Sequence, residues 1–124
     1  MPDPTCLFCR IVAGEIPATE VASSDRSYAF RDLNPQAPTH VLVVPKRHIT
    51  NADTVEAQDG PDLADLFMTA QAVARTEGLV RAGVSPDTEG GYRLVCNVGE
   101  ISGNTVAHLH VHVLGGRRLG WPPG

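Results

Sequence analysis

No apolar run in this 124-residue chain lasts more than a few residues, whereas a helical membrane span needs about 20. The opening Met1-Pro2-Asp3-Pro4 lacks both the basic region and the apolar core of a secretory signal, so a cytoplasmic location is expected. Basic charge is in deficit: 10 Lys and Arg against 14 Asp and Glu leave a net charge of −4. That balance removes any general attraction to a nucleic-acid polymer, while local donors can still bind a single nucleotide. Neither the glycine–lysine phosphate loop nor the dinucleotide glycine fingerprint occurs, which sets aside kinase and dehydrogenase readings. Internal repeats, low-complexity tracts and interdomain linkers are missing, and the length suits one domain, residues 1–124. With 42% hydrophobic and 19% charged residues, the composition is that of a globular chain and not of a disordered one.

Cysteine is scarce and odd in number: three, of which two form Cys6-x-x-Cys9. In a reducing compartment this spacing suggests metal or redox chemistry more than a structural disulfide. Cys96 falls in an expected strand and reads as a small buried apolar residue. Histidine is concentrated instead. Three of the five histidines crowd into His108-Leu109-His110-Val111-His112. On a strand over residues 107–114, alternation would turn His108, His110 and His112 to one face, about 7 Å apart from a rise of ~3.3–3.4 Å per residue. Leu109, Val111 and Val113 would face the core. Such a row of imidazoles can line a site for a phosphate or a metal.

Around this run the chain reads as short strands and one long helix. Residues 6–13 suit a short helix closed by Gly14, and residues 19–24 and 27–33 two strands about a polar turn. The β-branched run 40–44 suits a buried strand ended by Pro45. Apolar residues recurring at three and four from Pro61 to about Arg81 predict an amphipathic helix, with Gly83 as its stop and Gly78 weakening its last turn. Strands at 92–97 and 107–114, separated by a glycine-bearing loop, complete an α+β domain with a mainly antiparallel sheet.

The segment His108-Leu109-His110-Val111-His112-Val113-Leu114 resembles the histidine-triad signature, in which histidines alternate with apolar residues. Ala37-Pro38-Thr39-His40, Val43-Val44-Pro45-Lys46 and the ending Leu114-Gly115-Gly116-Arg117…Trp121-Pro122-Pro123-Gly124 extend the likeness over almost the whole chain. They are similar to the Hint branch of the histidine-triad (HIT) family, which hydrolyses purine nucleoside phosphoramidates and aminoacyl-adenylates to a nucleoside monophosphate. The resemblance implies a HIT-like fold, a five-stranded mainly antiparallel sheet with one long and one short helix. It also implies a homodimer in which two such sheets join into a ten-stranded one.

The same resemblance distributes roles. His110 would be the nucleophile that forms a covalent nucleotidyl-histidine, a chemistry open to a neutral imidazole of ordinary pKa about 6.5. His112 and His40 would hold phosphate oxygens or the nucleophile's surroundings, and the His108 carbonyl would fix the tautomer of His110. Asp32 would accept the ribose hydroxyls, Phe8, Phe30 and Leu33 would line the base pocket, and Asn97 would contact phosphate or ribose. Gly103, Asn104 and Thr105 would offer donors to the phosphate, with a side chain at Gly103 an obstruction. Family members more often carry Gln and Ser where this chain has Asn104 and Thr105, which bears on leaving-group preference. Trp121 would shape the leaving-group side. Cys6, Cys9, His48 and His108 match a structural zinc shell of some bacterial members, and no organic cofactor is expected.

Other readings remain: a dinucleoside polyphosphate hydrolase of the same family, or an adenine-nucleotide-binding protein without turnover. A metalloenzyme with the three clustered histidines as ligands is weakened, because no acidic residue follows at ligand spacing.

Overall fold

The computed structural model describes residues 3–86 and 89–124; Met1 and Pro2, part of the segment read above as lacking a signal, lie outside them. Cys6 caps helix α1, Leu7–Val12, its Sγ accepting from the Cys9 N–H. Two hairpin strands follow, β1 at Glu20–Ser23 and β2 at Ser27–Arg31, then β3 at Thr39–Pro45. The long helix α2 spans Gly60–Thr76, and the last strands are β4 at Tyr92–Val95 and β5 at Val111–Gly115. The five strands form one sheet in the order β1-β2-β3-β5-β4, every pair antiparallel.

Strand β3 is the spine. All seven of its residues are buried, because both faces of the sheet are covered there. Val41 and Val43 point into a cluster with Leu66, Ala70 and Val73 of α2, while Leu42 and Val44 point into one with Phe8, Cys9 and Ile11 of α1. Period-two alternation thus feeds two cores from one strand. The first core also takes Leu109, Val111 and Val113, so the side chains between the clustered histidines pack toward α2 as expected.

Several boundaries move. Helix α2 stops at Thr76, short of Arg81, and Gly78, not Gly83, is the stop. Gly78 has φ +76°, its N–H bonds the Arg75 carbonyl, and the Leu79 N–H bonds the Ala74 carbonyl. These two bonds satisfy the last carbonyls of the helix by a left-handed glycine cap. Strand β4 ends at Val95, so Cys96 lies beyond it and is exposed, not buried: among the described residues β4 is an edge strand, paired only with β5. Ladder pairing of β5 begins only at Val111, opposite Val43. Its upstream residues find other partners, the Leu109 N–H donating to the Ile49 carbonyl at 2.6 Å and the His108 ring taking the Pro45 carbonyl.

The loop after β3 is tied to α2 by charge. Arg47 bonds Asp59 and Asp62 together, and Arg26 reaches Asp62 at 3.1 Å. Burial pushes the Asp62 carboxyl up, but the two guanidiniums outweigh it and hold it below the usual range. This clamp fixes the residue preceding His48. No helix among the described residues is long and apolar enough to cross a membrane.

Candidate active site and metal centre

The clustered histidines do not share one task. His108 turns inward, 1% exposed, with Nε2–H donating to the Pro45 carbonyl at 2.8 Å. A carbonyl can only accept, so Nδ1 of the neutral ring carries the lone pair. That nitrogen lies 3.2 Å from the Cys6 Sγ and 3.4 Å from the Cys9 Sγ, and the Cys9 Sγ lies 3.3 Å from the His48 Nδ1. All four ligand atoms fall within 4.8 Å of one another. Tetrahedral zinc with Zn–S near 2.3 Å and Zn–N near 2.0–2.1 Å needs sulfur–nitrogen edges of about 3.5 Å, which these residues meet. The Pro45 carbonyl supplies the outer hydrogen bond that such a ligand histidine ordinarily makes. Two thiols and two imidazoles therefore fit a closed zinc shell. Burial, with the nearby charges of His48 and His110, pushes the His108 pKa down to about 4 against the opposing pull of the Pro45 bond. Burial likewise raises the Cys9 thiol.

Two residues on, His110 is held differently. Its Nδ1–H donates to the His108 carbonyl at 2.7 Å, leaving the Nε2 lone pair free of that proton. Phe8 meets the ring edge-on at 5.1 Å, and the His112 ring lies 5.0 Å away. The rings are closer than backbone spacing alone implies because the side chains lean together.

A second hydrogen-bonded chain fixes His112. The Gln36 N–H donates to the His40 Nδ1 at 3.0 Å, which places the His40 proton on Nε2. That Nε2 lies 2.9 Å from the His112 Nδ1 and 3.4 Å from the Asp32 Oδ2, so the shorter bond goes to His112. His112 then bears its own proton on Nε2. Burial first, then His110 and His40, push the His112 pKa to about 4, with Asp32 opposing; burial also lowers His40 against the same carboxylate. Because His108 joins the cysteines and His112 joins His40 and Asp32, no converging ligand group among the described residues unites the three clustered histidines.

A cavity of about 250 Å³ opens beside α1, lined by Phe8, Ile11, Phe30, Asp32, Leu42 and Thr105, among others. It includes the expected Leu33, whose side chain is otherwise 99% exposed. Leu7, Ile16, Pro17 and Val106 also line it and were not anticipated; single apolar residues in three separate segments carry no pattern that would collect them. Nor was the Gln36 N–H, since a backbone donor leaves no mark in residue type. Asn97, Asn104 and Trp121 do not line this cavity, and Trp121 is 83% exposed.

The loop before the triad differs from expectation in its donors. The Gly103 N–H is already used by the Glu100 carbonyl at 2.9 Å, because residues 100–102 form a turn of 3-10 helix. Within the protein a Cβ at Gly103 would meet nothing within 4 Å, and its φ of +95° favours glycine on its own account. Asn104 turns its side chain to the Val106 N–H.

With the fold and these clusters in view, comparison with known proteins is direct. The model of the HIT domain family matches residues 13–119. A HIT family hydrolase from Legionella pneumophila has a solved structure that superposes with a TM-score of 0.87 at 48% identity, covering 97% of this chain and 100% of that one. A histidine triad nucleotide-binding protein from Candida albicans superposes at 0.78 with 30% identity, covering 95% of this chain and 83% of that one. The 14 kDa zinc-binding protein of Zea mays is 42% identical over 98% of this chain and 90% of its own length. The chain belongs to the HIT domain family.

The two depressed histidines make stability depend on pH in a definite direction. An unfolded histidine titrates near ~6.5, so between that value and about 4 the unfolded chain binds more protons than the folded one. Stability is therefore full above the upper value and falls as pH drops through the window. In chelator, the urea midpoint should decline from pH 7 to pH 4.5, and His112→Asn should make that decline shallower. An unchanged slope in the variant would refute the burial of a neutral His112.

Proposed function

We propose that the protein is a nucleotide hydrolase that cleaves purine nucleoside phosphoramidates or aminoacyl-adenylates to a nucleoside monophosphate. The observation that carries this reading is the His110 Nδ1–H bond to the His108 carbonyl at 2.7 Å, which presents Nε2 as an unprotonated nucleophile. The lone pair attacks phosphorus and an N–P bond forms; in a phosphoramidate the P–N bond breaks as the amine takes a proton from solvent, and in an aminoacyl-adenylate the P–O bond breaks and the carboxylate leaves. Water then attacks the phosphorus of the nucleotidyl-histidine, releasing the monophosphate and restoring the imidazole. His112 supports this step as an N–H donor to a phosphoryl oxygen, with His40 holding its tautomer. Thr105, at the cavity wall, is suited to the same oxygens or to the leaving nitrogen.

Nucleotide binding by the Candida albicans relative supports a nucleotide at the cavity. At about 250 Å³ the cavity lies below the ~300–1,000 Å³ of pockets that hold a whole drug-sized ligand, and suits one flat base. The Asp32 Oδ1 accepts from the Asn34 N–H, leaving Oδ2 toward His40 and the ribose side. Asn97, Gly103, Asn104 and Trp121 remain assigned by family likeness.

Zinc is the metal this reading assigns to Cys6, Cys9, His48 and His108, in agreement with the zinc-binding relative from Zea mays. A closed shell of this kind adds folding free energy and leaves no open position for chemistry. A second copy of the chain is the proposed partner. Edge strand β4 has an unpaired side, and Leu94, Phe67 and Met68 are exposed apolar residues. Two-fold pairing through β4 would join two sheets into ten strands.

Three measurements test these parts separately. His110→Asn should lower release of AMP from adenosine phosphoramidate by at least ~10²-fold with nucleotide affinity nearly intact, since loss of a nucleophile costs no less than loss of acid–base help. A variant keeping a tenth of the rate would remove His110 from that role. Elemental analysis of protein prepared without chelator should give about one zinc per chain, and chelator should lower Tm, because the site exists only in the folded state. Protein that neither holds nor takes up zinc and keeps its Tm overturns the metal. Sedimentation equilibrium should return twice the chain mass; a single-chain mass at micromolar concentration overturns the pairing.

A further inference from the structure

We infer that Cys6 and Cys9 form a reversible disulfide that ejects the metal and slows the site by loosening His110. The inference rests on the zinc and nucleophile readings above. Three observations carry it. First, the two thiols are neighbours by construction: Cys6 is the N-cap of α1 and Cys9 the third helical residue, with sulfurs within 4.8 Å. Residues three apart on a helix have Cβ atoms about 5–6 Å apart, and a disulfide needs about 3.5–4.5 Å, so uncapping one turn of a six-residue helix closes the gap. Second, Pro4, Thr5 and Leu7, which flank Cys6, are exposed, so opening of this turn admits a small oxidant to the sulfur. Third, His108 belongs to both centres. Its ring faces the two sulfurs, and its carbonyl holds the Nδ1–H of the nucleophile.

The oxidant is a peroxide. One thiolate attacks a peroxide oxygen: an S–O bond forms, the O–O bond breaks and hydroxide leaves. The second thiolate attacks that sulfur: the S–S bond forms, the S–O bond breaks and a second hydroxide leaves. Two electrons pass from sulfur to peroxide, two protons convert the hydroxides to water, and the zinc ion departs, since disulfide sulfurs no longer act as thiolate ligands. His108 then keeps only the Pro45 bond on its ring, and the peptide carrying the His110 acceptor loses an anchor. His108 acts here as a positioning residue. Outer-shell losses of this kind typically cost 10–100-fold, and we expect the mild end, about tenfold in kcat; KM rises as well, because the uncapped turn carries Leu7 and Phe8 of the cavity wall.

The experiment uses the full chain carrying Cys96→Ser, which removes the exposed third thiol. Zinc content is measured first by elemental analysis. Hydrogen peroxide is then added while intact mass, zinc release to a chromogenic chelator and kcat for adenosine phosphoramidate are followed. The expected result is loss of two hydrogens per chain, a Cys6–Cys9 cross-link in the peptide map, matching zinc release and lower kcat. Dithiothreitol with added zinc should restore all of them. Cys9→Ser in the same background should show no cross-link; should that variant not fold, the peptide map of the parent decides the pairing. Stepwise oxygen addition without a cross-link overturns the inference, as does a cross-link that leaves kcat intact or a loss that reduction and zinc do not reverse. Protein found free of zinc at the first step refutes the metal reading alone, and the cross-link and kcat arms still decide the switch. A parent chain inactive before peroxide refutes the nucleophile reading, and the cross-link and zinc arms then stand by themselves.

Discussion

The hydrogen bond from the His110 Nδ1–H to the His108 carbonyl constrains both centres of the molecule. It joins side chain and backbone two residues apart, a geometry available where the chain is extended but not yet paired in a ladder. The ladder between β3 and β5 does not reach His108. Instead β3 ends at Pro45, whose carbonyl is taken by the His108 ring, and pairing starts at Val111. The short ladder leaves the His108 ring and carbonyl to these two bonds.

Burial makes this arrangement rigid. Strand β3 contributes to two cores, and the helices on either face hold the triad segment between them. Phe8 illustrates the coupling: it packs in the α1 cluster, stacks edge-on with Phe30 at 5.4 Å and with His110 at 5.1 Å, and lines the cavity. Cavity wall, core residue and support for the central imidazole are one side chain. The desolvation that this packing imposes also keeps His108 and His112 neutral, which suits one to accept a metal and the other to donate an N–H.

Much of this was legible from residue type. Alternation of histidine with Leu109, Val111 and Val113 foretold which side of the segment faces the core, because period two is a property of extended chain whether or not it is paired. The long helix was visible from its apolar recurrence, but its stop was not: Gly78 and Gly83 are equivalent in sequence, and only the bonds to Ala74 and Arg75 distinguish them. Cys96 was misplaced because a strand pattern does not say which strand lies at the edge. The bond from the Gly103 N–H to the Glu100 carbonyl was not legible, because residue type does not say that a glycine-bearing loop closes on itself. Family likeness brought together Cys6, Cys9, His48 and His108, which sit in three separate segments of the chain. Backbone partners such as the Gln36 N–H and the Pro45 carbonyl were invisible to any reading of side chains.

The cavity beside α1 has a consequence for discrimination. Its walls are chiefly hydrocarbon, and the polar groups at its rim are largely engaged already: Arg31 forks onto Glu77 at 2.7 and 3.0 Å, and the Asp32 Oδ1 takes the Asn34 N–H. A ring system lying there is gripped by its faces while its edges look outward. Apolar slots reject the addition of one polar substituent only weakly, by about 10²-fold at most. Adenine and guanine differ only along their edges, so on the proposed reading this wall would select for flatness and width and discriminate little between the two purines.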